Sequence, residues 1–113
     1  MAYSKYKNCK TEIDGFKFGS KAEANRYLIL SSLQRSGLIK GLVMQVKYPL
    51  ISNQRKDDNT IERGCAYIAD FVYIEEGKLI IEDVKGGKST PEFIIKRKLM
   101  LEKHGITIRE IRK

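Results

Sequence analysis

The spacing of apolar residues changes several times along this chain, and each change predicts a different element. Residues 1–10 are mostly polar, and we expect them to be a flexible lead-in. Short apolar-alternating pieces then flank Asp14-Gly15, a dipeptide that accepts the positive φ angles of a hairpin turn. The pattern therefore predicts a small hairpin ahead of the main domain.

Two stretches have the apolar period of an amphipathic helix. Ser20 and Glu23 form a capping-box sequence before the first stretch, and Gly37 ends it, which predicts a helix over about residues 21–36. The second stretch, EFIIKRKLMLEKH, follows a Ser-Thr-Pro sequence in which either Ser or Thr can cap the helix. It ends at a glycine, Gly105.

Segments rich in β-branched and aromatic residues predict the strands. LVMQVKYPLIS is extended, and its proline indicates an edge strand or a bend, whereas NQRKDDNT has no periodicity and predicts an exposed loop. YIADFVYIEEGKLIIEDVKG predicts a pair of strands, and ITIREI predicts a last one. This order indicates an α/β or α+β fold in a single domain over residues 1–113, with one mixed sheet flanked by two helices.

The predicted strand pair carries charges where a core is expected. Side chains alternate along a strand, so Asp83 and Lys85 share one face while Glu82 points the other way. A two-residue hairpin loop would place Asp70 opposite Asp83, whereas a three-residue loop would place it opposite Glu82. We favour Asp83, because it shares a face with Lys85, and keep Glu82 as the alternative.

Clustered carboxylates indicate a metal site. Two facing carboxylates repel each other unless a cation neutralises them. Oxygen ligands favour Mg²⁺ or Mn²⁺ over zinc, and the chain has one histidine and two cysteines without a CxxC pair. A lysine beside such a metal can orient water or offset charge, so Asp70, Asp83 and Lys85 contain the parts of metal-assisted phosphodiester hydrolysis.

Charge and composition favour a nucleic-acid partner. The chain of 113 residues has 22 Lys and Arg against 14 Asp and Glu, a net charge of +8, which suits a polyanion. No apolar run approaches the roughly 20 residues of a membrane span, and no signal peptide is recognisable. We therefore expect a cytoplasmic protein without a membrane partner.

Asp70 followed by Asp83-Val84-Lys85 after a tight hairpin resembles the D…(D/E)xK signature of the PD-(D/E)XK nuclease superfamily, with Ala69 in place of the nominal proline. The segments FGSKAEANRYL, LVMQVKYPL, YIADFVY and IEDVKG also resemble a group of small bacteriophage endonucleases related to Holliday-junction resolvases. The resemblance spans about residues 11–103. It implies a restriction-endonuclease-like α-β-β-β-α-β core and a Mg²⁺-dependent endonuclease.

The resemblance also implies the role of each site residue. Asp70 and Asp83 would hold the metal with the help of the Val84 carbonyl, and Lys85 would position the nucleophilic water. In many members of the superfamily a glutamate on the first helix adds a ligand. Glu23 is the match here, although its place in the capping box is a sufficient structural reason for it.

The substrate implied is branched or recombination-intermediate phage DNA in the infected bacterial host. A domain of this size offers about half the contact surface that a four-way junction needs, so we expect a homodimer. Free N–H groups and the positive dipole end of the second helix attract phosphate. The candidates for DNA contacts are Lys88, Ser89, Thr90, Lys96, Lys98 and Gln45, whereas Arg26 and Arg35 are interpreted as surface charge.

A second interpretation requires no catalysis. The chain would then be a basic nucleic-acid-binding module of phage replication or recombination, in which Lys85 and Asp83 form a plain ion pair within the sheet. This interpretation leaves Asp70 as a surplus charge.

Overall fold

The computed structural model describes residues 11–112, so the predicted lead-in lies outside the described residues. In chain order the elements are β1 (Thr11–Ile13), β2 (Phe16–Phe18), α1 (Lys21–Arg35), β3 (Lys40–Ile51), β4 (Gln54–Arg55), β5 (Ile61–Glu62), β6 (Cys65–Glu75), β7 (Lys78–Lys85), α2 (Pro91–His104) and β8 (Arg109–Arg112). Apart from the two short hairpins, this is the predicted α-β-β-β-α-β order.

One mixed sheet carries the fold, with its strands in the order β3-β6-β7-β8. β3 pairs antiparallel with β6 across the β4–β5 hairpin, and β6 pairs antiparallel with β7 through a tight turn. β8 pairs parallel to β7 because α2 carries the chain back across the sheet. The predicted fold class, a single mixed sheet flanked by two helices, is confirmed. β3 is an edge strand of this sheet, as Pro49 predicts.

The helices cover opposite faces of the sheet. Leu30 of α1 packs in one apolar cluster with Phe71 of β6, and Met100 of α2 packs in another with Ile81 of β7. All four side chains are at most 2% exposed, so each cluster is a dry layer between helix and sheet. The result is a three-layer α-β-α arrangement of helix, sheet and helix.

β6 changes faces in the middle of the sheet. Ala69 packs in the cluster under α2, whereas Phe71 packs in the cluster under α1, although residues two apart in a regular strand share a face. The residue between them is Asp70. The register of β3 with β6 places Gln45 at the same level, and Gln45 has a φ of 55°, so both strands are irregular there.

The helix ends follow the predicted caps. Ser20 accepts a hydrogen bond from the Glu23 backbone N–H at 3.2 Å and begins α1. Thr90, rather than Ser89, begins α2, and Gly105 ends it with a φ of 65°. These local signals fix both helices to within a residue of their predicted bounds.

Two details of the strands differ from the predictions. The segment after β3 is exposed as expected, but it is a hairpin rather than a plain loop, because β4 and β5 pair with each other. At its base, Gly64 packs so tightly that a Cβ atom would lie 1.9 Å from the Ile51 carbonyl oxygen. β8 begins at Arg109, later than ITIREI suggests, and Ile108 before it is a buried residue of the α2 cluster.

Candidate functional site

The hairpin between β6 and β7 decides which carboxylates meet. Glu76 and Gly77 form a two-residue loop with φ angles of 51° and 78°. The antiparallel ladder runs from this loop to the Phe71–Glu82 pair, and the next residues on the two strands are Asp70 and Asp83. The register with Asp83 is therefore confirmed, and the three-residue loop that would bring Glu82 opposite Asp70 is wrong.

Asp83 is buried and held by two donors. The Tyr67 hydroxyl donates to its Oδ1 at 2.8 Å, and the Lys85 ammonium lies 2.8 Å from its Oδ2. Lys85 also lies over the Phe93 ring, 3.2 Å from the ring centroid. Burial and the bond to Asp83 raise the pKa of Tyr67, so its hydroxyl stays protonated as the donor. Asp83 and Lys85 share one face, as predicted.

Asp70 is half-buried where β6 changes faces. Its Oδ2 accepts a hydrogen bond from the Val84 backbone N–H at 2.8 Å. Burial and the charges of Glu23 and Asp83 together raise the pKa of Asp70 to about 7, against the lowering effect of the Val84 bond and of Lys85. Near neutral pH this carboxyl is thus poised between its charged and neutral forms.

Glu23 brings a third carboxylate from α1. Burial raises the pKa of Glu23, the charge of Asp83 raises it further, and a hydrogen bond from the Gly19 backbone lowers it. Its carboxylate is therefore partly buried and close enough for the charge of Asp83 to act on it, while its backbone N–H completes the cap with Ser20. Glu23, Asp70 and Asp83 come from three different elements, and the charge of each affects a neighbour; we call them the carboxylate cluster.

Glu82 does not join the carboxylate cluster. Its side chain is 0% exposed and points toward α1, where Arg26 donates to Oε1 at 2.9 Å and to Oε2 at 2.7 Å. The Tyr73 hydroxyl donates to Oε2 as well. Glu82 is thus engaged on both oxygens, which removes it as the alternative ligand, and the interpretation of Arg26 as mere surface charge is wrong.

The candidates for DNA contacts form two groups. Lys88, Ser89 and Thr90 follow the site lysine after two glycines, and there Ser89 accepts a hydrogen bond from Arg112 and Thr90 caps α2. The remaining candidates are separate. Lys96 lies 3.6 Å from Glu92 on α2, and Lys98 and Gln45 are exposed on α2 and β3.

A family comparison covers nearly the whole chain, since a family model matches residues 3–112. The chain belongs to the DUF1064 family. That family is described as a protein of unknown function. No curated protein and no solved structure matches this DUF1064 chain. Across residues 11–112 of the DUF1064 domain, no helix has both the length and the apolar character needed to cross a membrane.

The donor chemistry of the carboxylate cluster fits a divalent cation such as Mg²⁺. Oxygen donors are the ligands that such a cation prefers, and the charges of Glu23 and Asp83 both disfavour the charged form of Asp70, an effect that a cation would offset. Within the described residues, no group of three His, Cys, Asp or Glu side chains is already arranged to hold a metal ion. A cation would therefore draw Asp83 away from Tyr67 and Lys85, and Glu23 away from Gly19.

Tyr67 and Phe93 were not predicted as site residues, and the partner of Arg26 was not predicted. Tyr67 and Phe93 hold the Asp83–Lys85 pair from α2's side of the sheet, and Arg26 engages Glu82 on the other side. Tyr67 could have been found, because its period-2 spacing from the buried residue Ala69 places it on a buried face. The contact of Arg26 joins residues 56 positions apart, and no local pattern reports such a pairing.

Proposed function

We propose that this chain is a metal-dependent DNA endonuclease that uses Mg²⁺, or Mn²⁺ as a substitute, to hydrolyse phosphodiester bonds. The observation that carries the proposal is that the charges of Glu23 of α1 and Asp83 of β7 both act on the partly buried carboxyl of Asp70. Clustered carboxylates repel each other when no cation is bound, whereas a divalent cation requires such oxygen ligands. The resemblance to the PD-(D/E)XK signature supports the same assignment.

Each residue has a role in this chemistry. Asp70 and Asp83 would hold the cation, with Glu23 and the Val84 carbonyl as further ligands. When bound, the cation supplies positive charge at the phosphate and makes a water molecule more acidic. Lys85 has three N–H donors, and those not directed at Asp83 would orient that water or a phosphate oxygen. Hydrolysis adds one oxygen of water to phosphorus and breaks one ester bond, whose oxygen takes a proton.

The substrate follows from charge and position. The net charge of +8 favours DNA, and Lys88 to Thr90 lie between the site lysine and the first turn of α2, separated from the lysine by two glycines. Further contacts to the sugar-phosphate backbone of the DNA would come from Lys96, Lys98 and Gln45. We propose branched or recombination-intermediate phage DNA in the cytoplasm of an infected bacterium, cut by a homodimer that places one site on each of two strands.

The test is cleavage of labelled DNA by the purified chain. Four-way junction, flap, single-stranded and linear duplex DNA are incubated with Mg²⁺, Mn²⁺ or EDTA, and the oligomeric state is measured by sedimentation. Asp83→Ala and Lys85→Ala should remove cleavage while the proteins stay folded. Lys78→Ala is the matched control, because Lys78 is exposed at the opposite end of the same strand, and it should cut normally.

A second candidate function is a non-catalytic nucleic-acid-binding module. The observation that favours it is that Asp83 already has two partners, the Tyr67 hydroxyl and the Lys85 ammonium. The same assay separates the two functions. DNA binding without cutting in either metal would reject the endonuclease and support the module, whereas cutting that EDTA abolishes would reject the module.

A further inference from the structure

A buried polar network lies between α1 and β7, on the sheet face opposite Lys85. We call Arg26, Glu82 and Tyr73 the network. The Arg26 guanidinium grips both oxygens of Glu82, at 2.9 Å and 2.7 Å, and the Tyr73 hydroxyl donates to Oε2. Burial raises the pKa of Tyr73 to about 12, so its hydroxyl remains a donor. Glu82 and Tyr73 are at most 1% exposed.

Stability alone does not explain this network. Removing a carboxylate and a guanidinium from water carries a large desolvation penalty, which their attraction repays only partly. An apolar set of similar volume is often as stable or more stable. The neighbouring positions of the same face are apolar, since Leu30 and Phe71 pack in the α1 cluster. An ion pair and a tyrosine hydroxyl in such a layer therefore add directional contacts rather than apolar burial.

The place of the network in the chain links two parts of the carboxylate cluster. Arg26 lies three residues after Glu23, so both side chains project from neighbouring turns of the same helix face. Glu82 directly precedes Asp83 on β7. The Arg26–Glu82 ion pair thus ties the helix that carries Glu23 to the strand that carries Asp83.

A bidentate ion pair restricts motion that apolar contacts permit. Leu and Ala side chains tolerate small shifts of a helix along a sheet, whereas two parallel N–H···O bonds fix both distance and angle. Tyr73 of β6 adds a third bond, and Arg109 of β8 donates to the Tyr73 hydroxyl at 3.2 Å. Polar contacts therefore connect β6, β7 and β8 with α1, the helix that also carries Glu23 of the carboxylate cluster.

We propose that Arg26, Glu82 and Tyr73 are positioning residues that fix α1 against β7, so that Glu23 stays beside Asp70 and Asp83 and the three carboxylates can bind a divalent cation together. The inference rests on the proposed function, because it assigns the network a role at that same site. Arg26 and Glu82 act through other residues and do not contact the cation themselves.

The test replaces the whole network with apolar side chains. The triple variant Arg26→Met, Glu82→Leu and Tyr73→Phe removes every partner at once and leaves no buried charge unpaired. Urea unfolding should show a midpoint close to that of the wild type. Titration calorimetry with Mn²⁺ alone should show at least a tenfold loss of affinity, as is typical when residues behind metal ligands are replaced. Cleavage should fall at least tenfold in kcat with less than a threefold change in KM.

A matched control comes from the other side of the sheet. Arg97 of α2 and Glu110 of β8 form another ion pair between a helix and a strand, at 2.9 Å. The double variant Arg97→Met and Glu110→Leu should leave the Mn²⁺ affinity within twofold of wild type. The single variant Arg26→Lys keeps the charge but loses the planar fork, and it should lower the Mn²⁺ affinity by at least threefold.

The outcomes separate the two proposals. Suppose that the wild type binds Mn²⁺ and cuts DNA, and that the folded triple variant has a Mn²⁺ affinity and a cleavage rate within twofold of wild type. The positioning role is then overturned, and the proposed endonuclease function is supported. If the wild type neither binds Mn²⁺ nor cuts any substrate, the endonuclease is rejected and the inference with it. If the triple variant does not fold, Arg26→Lys decides, and Mn²⁺ affinity equal to wild type overturns the inference.

Discussion

Replacing Asp70 with Asn should stabilise the metal-free protein while it abolishes metal-dependent cleavage. The reason is that the folded state disfavours the charged form of Asp70, whose pKa is raised from 3.8 to about 7 by burial, Glu23 and Asp83. Asn is neutral at every pH and keeps an oxygen for the Val84 N–H. The substitution therefore removes the electrostatic cost and leaves the hydrogen bond.

The size of the effect follows from proton linkage. A shift of about 3 pKa units corresponds to about 4 kcal/mol in the free energy of unfolding. Asp70 is only half-buried, so solvent screens part of this electrostatic cost. We therefore expect the free energy of unfolding of Asp70→Asn to exceed that of the wild type by about 2 kcal/mol at pH 8. Between about pH 4 and pH 7 the folded protein binds more protons than the unfolded chain, so wild-type stability falls as the pH rises through this range. Below about pH 4 the Asp70 carboxyl is protonated in both the folded and the unfolded state, and the electrostatic cost of its charge disappears.

The assay is urea unfolding in EDTA at pH 8 and at pH 4. Asp70→Asn should be more stable than wild type by about 2 kcal/mol at pH 8 and by less than about 1 kcal/mol at pH 4. Asp57→Asn is the control, since it removes the same charge from an exposed turn. A variant that is less stable than wild type at pH 8 would refute the reasoning, because Asp70 would then be stabilised as a carboxylate by Lys85.

Three further substitutions test the packing around the site. Tyr67→Phe removes the buried hydroxyl that donates to the site carboxylate and should cost about 1–2 kcal/mol in urea unfolding; an unchanged midpoint would contradict that bond. Gly64→Ala should cost about 3 kcal/mol by thermal unfolding, because the new Cβ meets the Ile51 carbonyl oxygen, whereas Gly86→Ala enters open space and should be tolerated. Thr90→Ala should cost about 1 kcal/mol through loss of the α2 cap, and Thr90→Ser should restore most of it; equal stabilities would argue against the cap.

The helices were predictable because their ends depend on side chains within a few residues. Ser20 caps α1 through a bond to the backbone three residues on, and Gly105 ends α2 by adopting a φ that other residues avoid. The hairpin of β4 and β5 was not predictable. Its strands have two residues each and no apolar face, so their pairing leaves no periodic signal in the sequence.

The site was predictable in part. Strand alternation places Asp83 and Lys85 together, and their ion pair confirms it. The sequence does not decide the loop length, because a positive φ is unfavourable for a glutamate such as Glu76. Only the pairing of the strands on both sides of the loop stabilises Glu76 in that conformation. The face change at Asp70 depends on packing against both helices, and strict alternation would have predicted a regular strand.

The irregularity of β3 affects how this protein behaves at high concentration. β3 is the longest strand of the sheet and lies at its edge, where free backbone groups invite a strand from another molecule. Gln45, with its left-handed backbone, and Pro49, which has no N–H to offer, both interrupt that row of groups. An intruding strand would find no continuous run to pair with, which protects the fold from edge-to-edge aggregation.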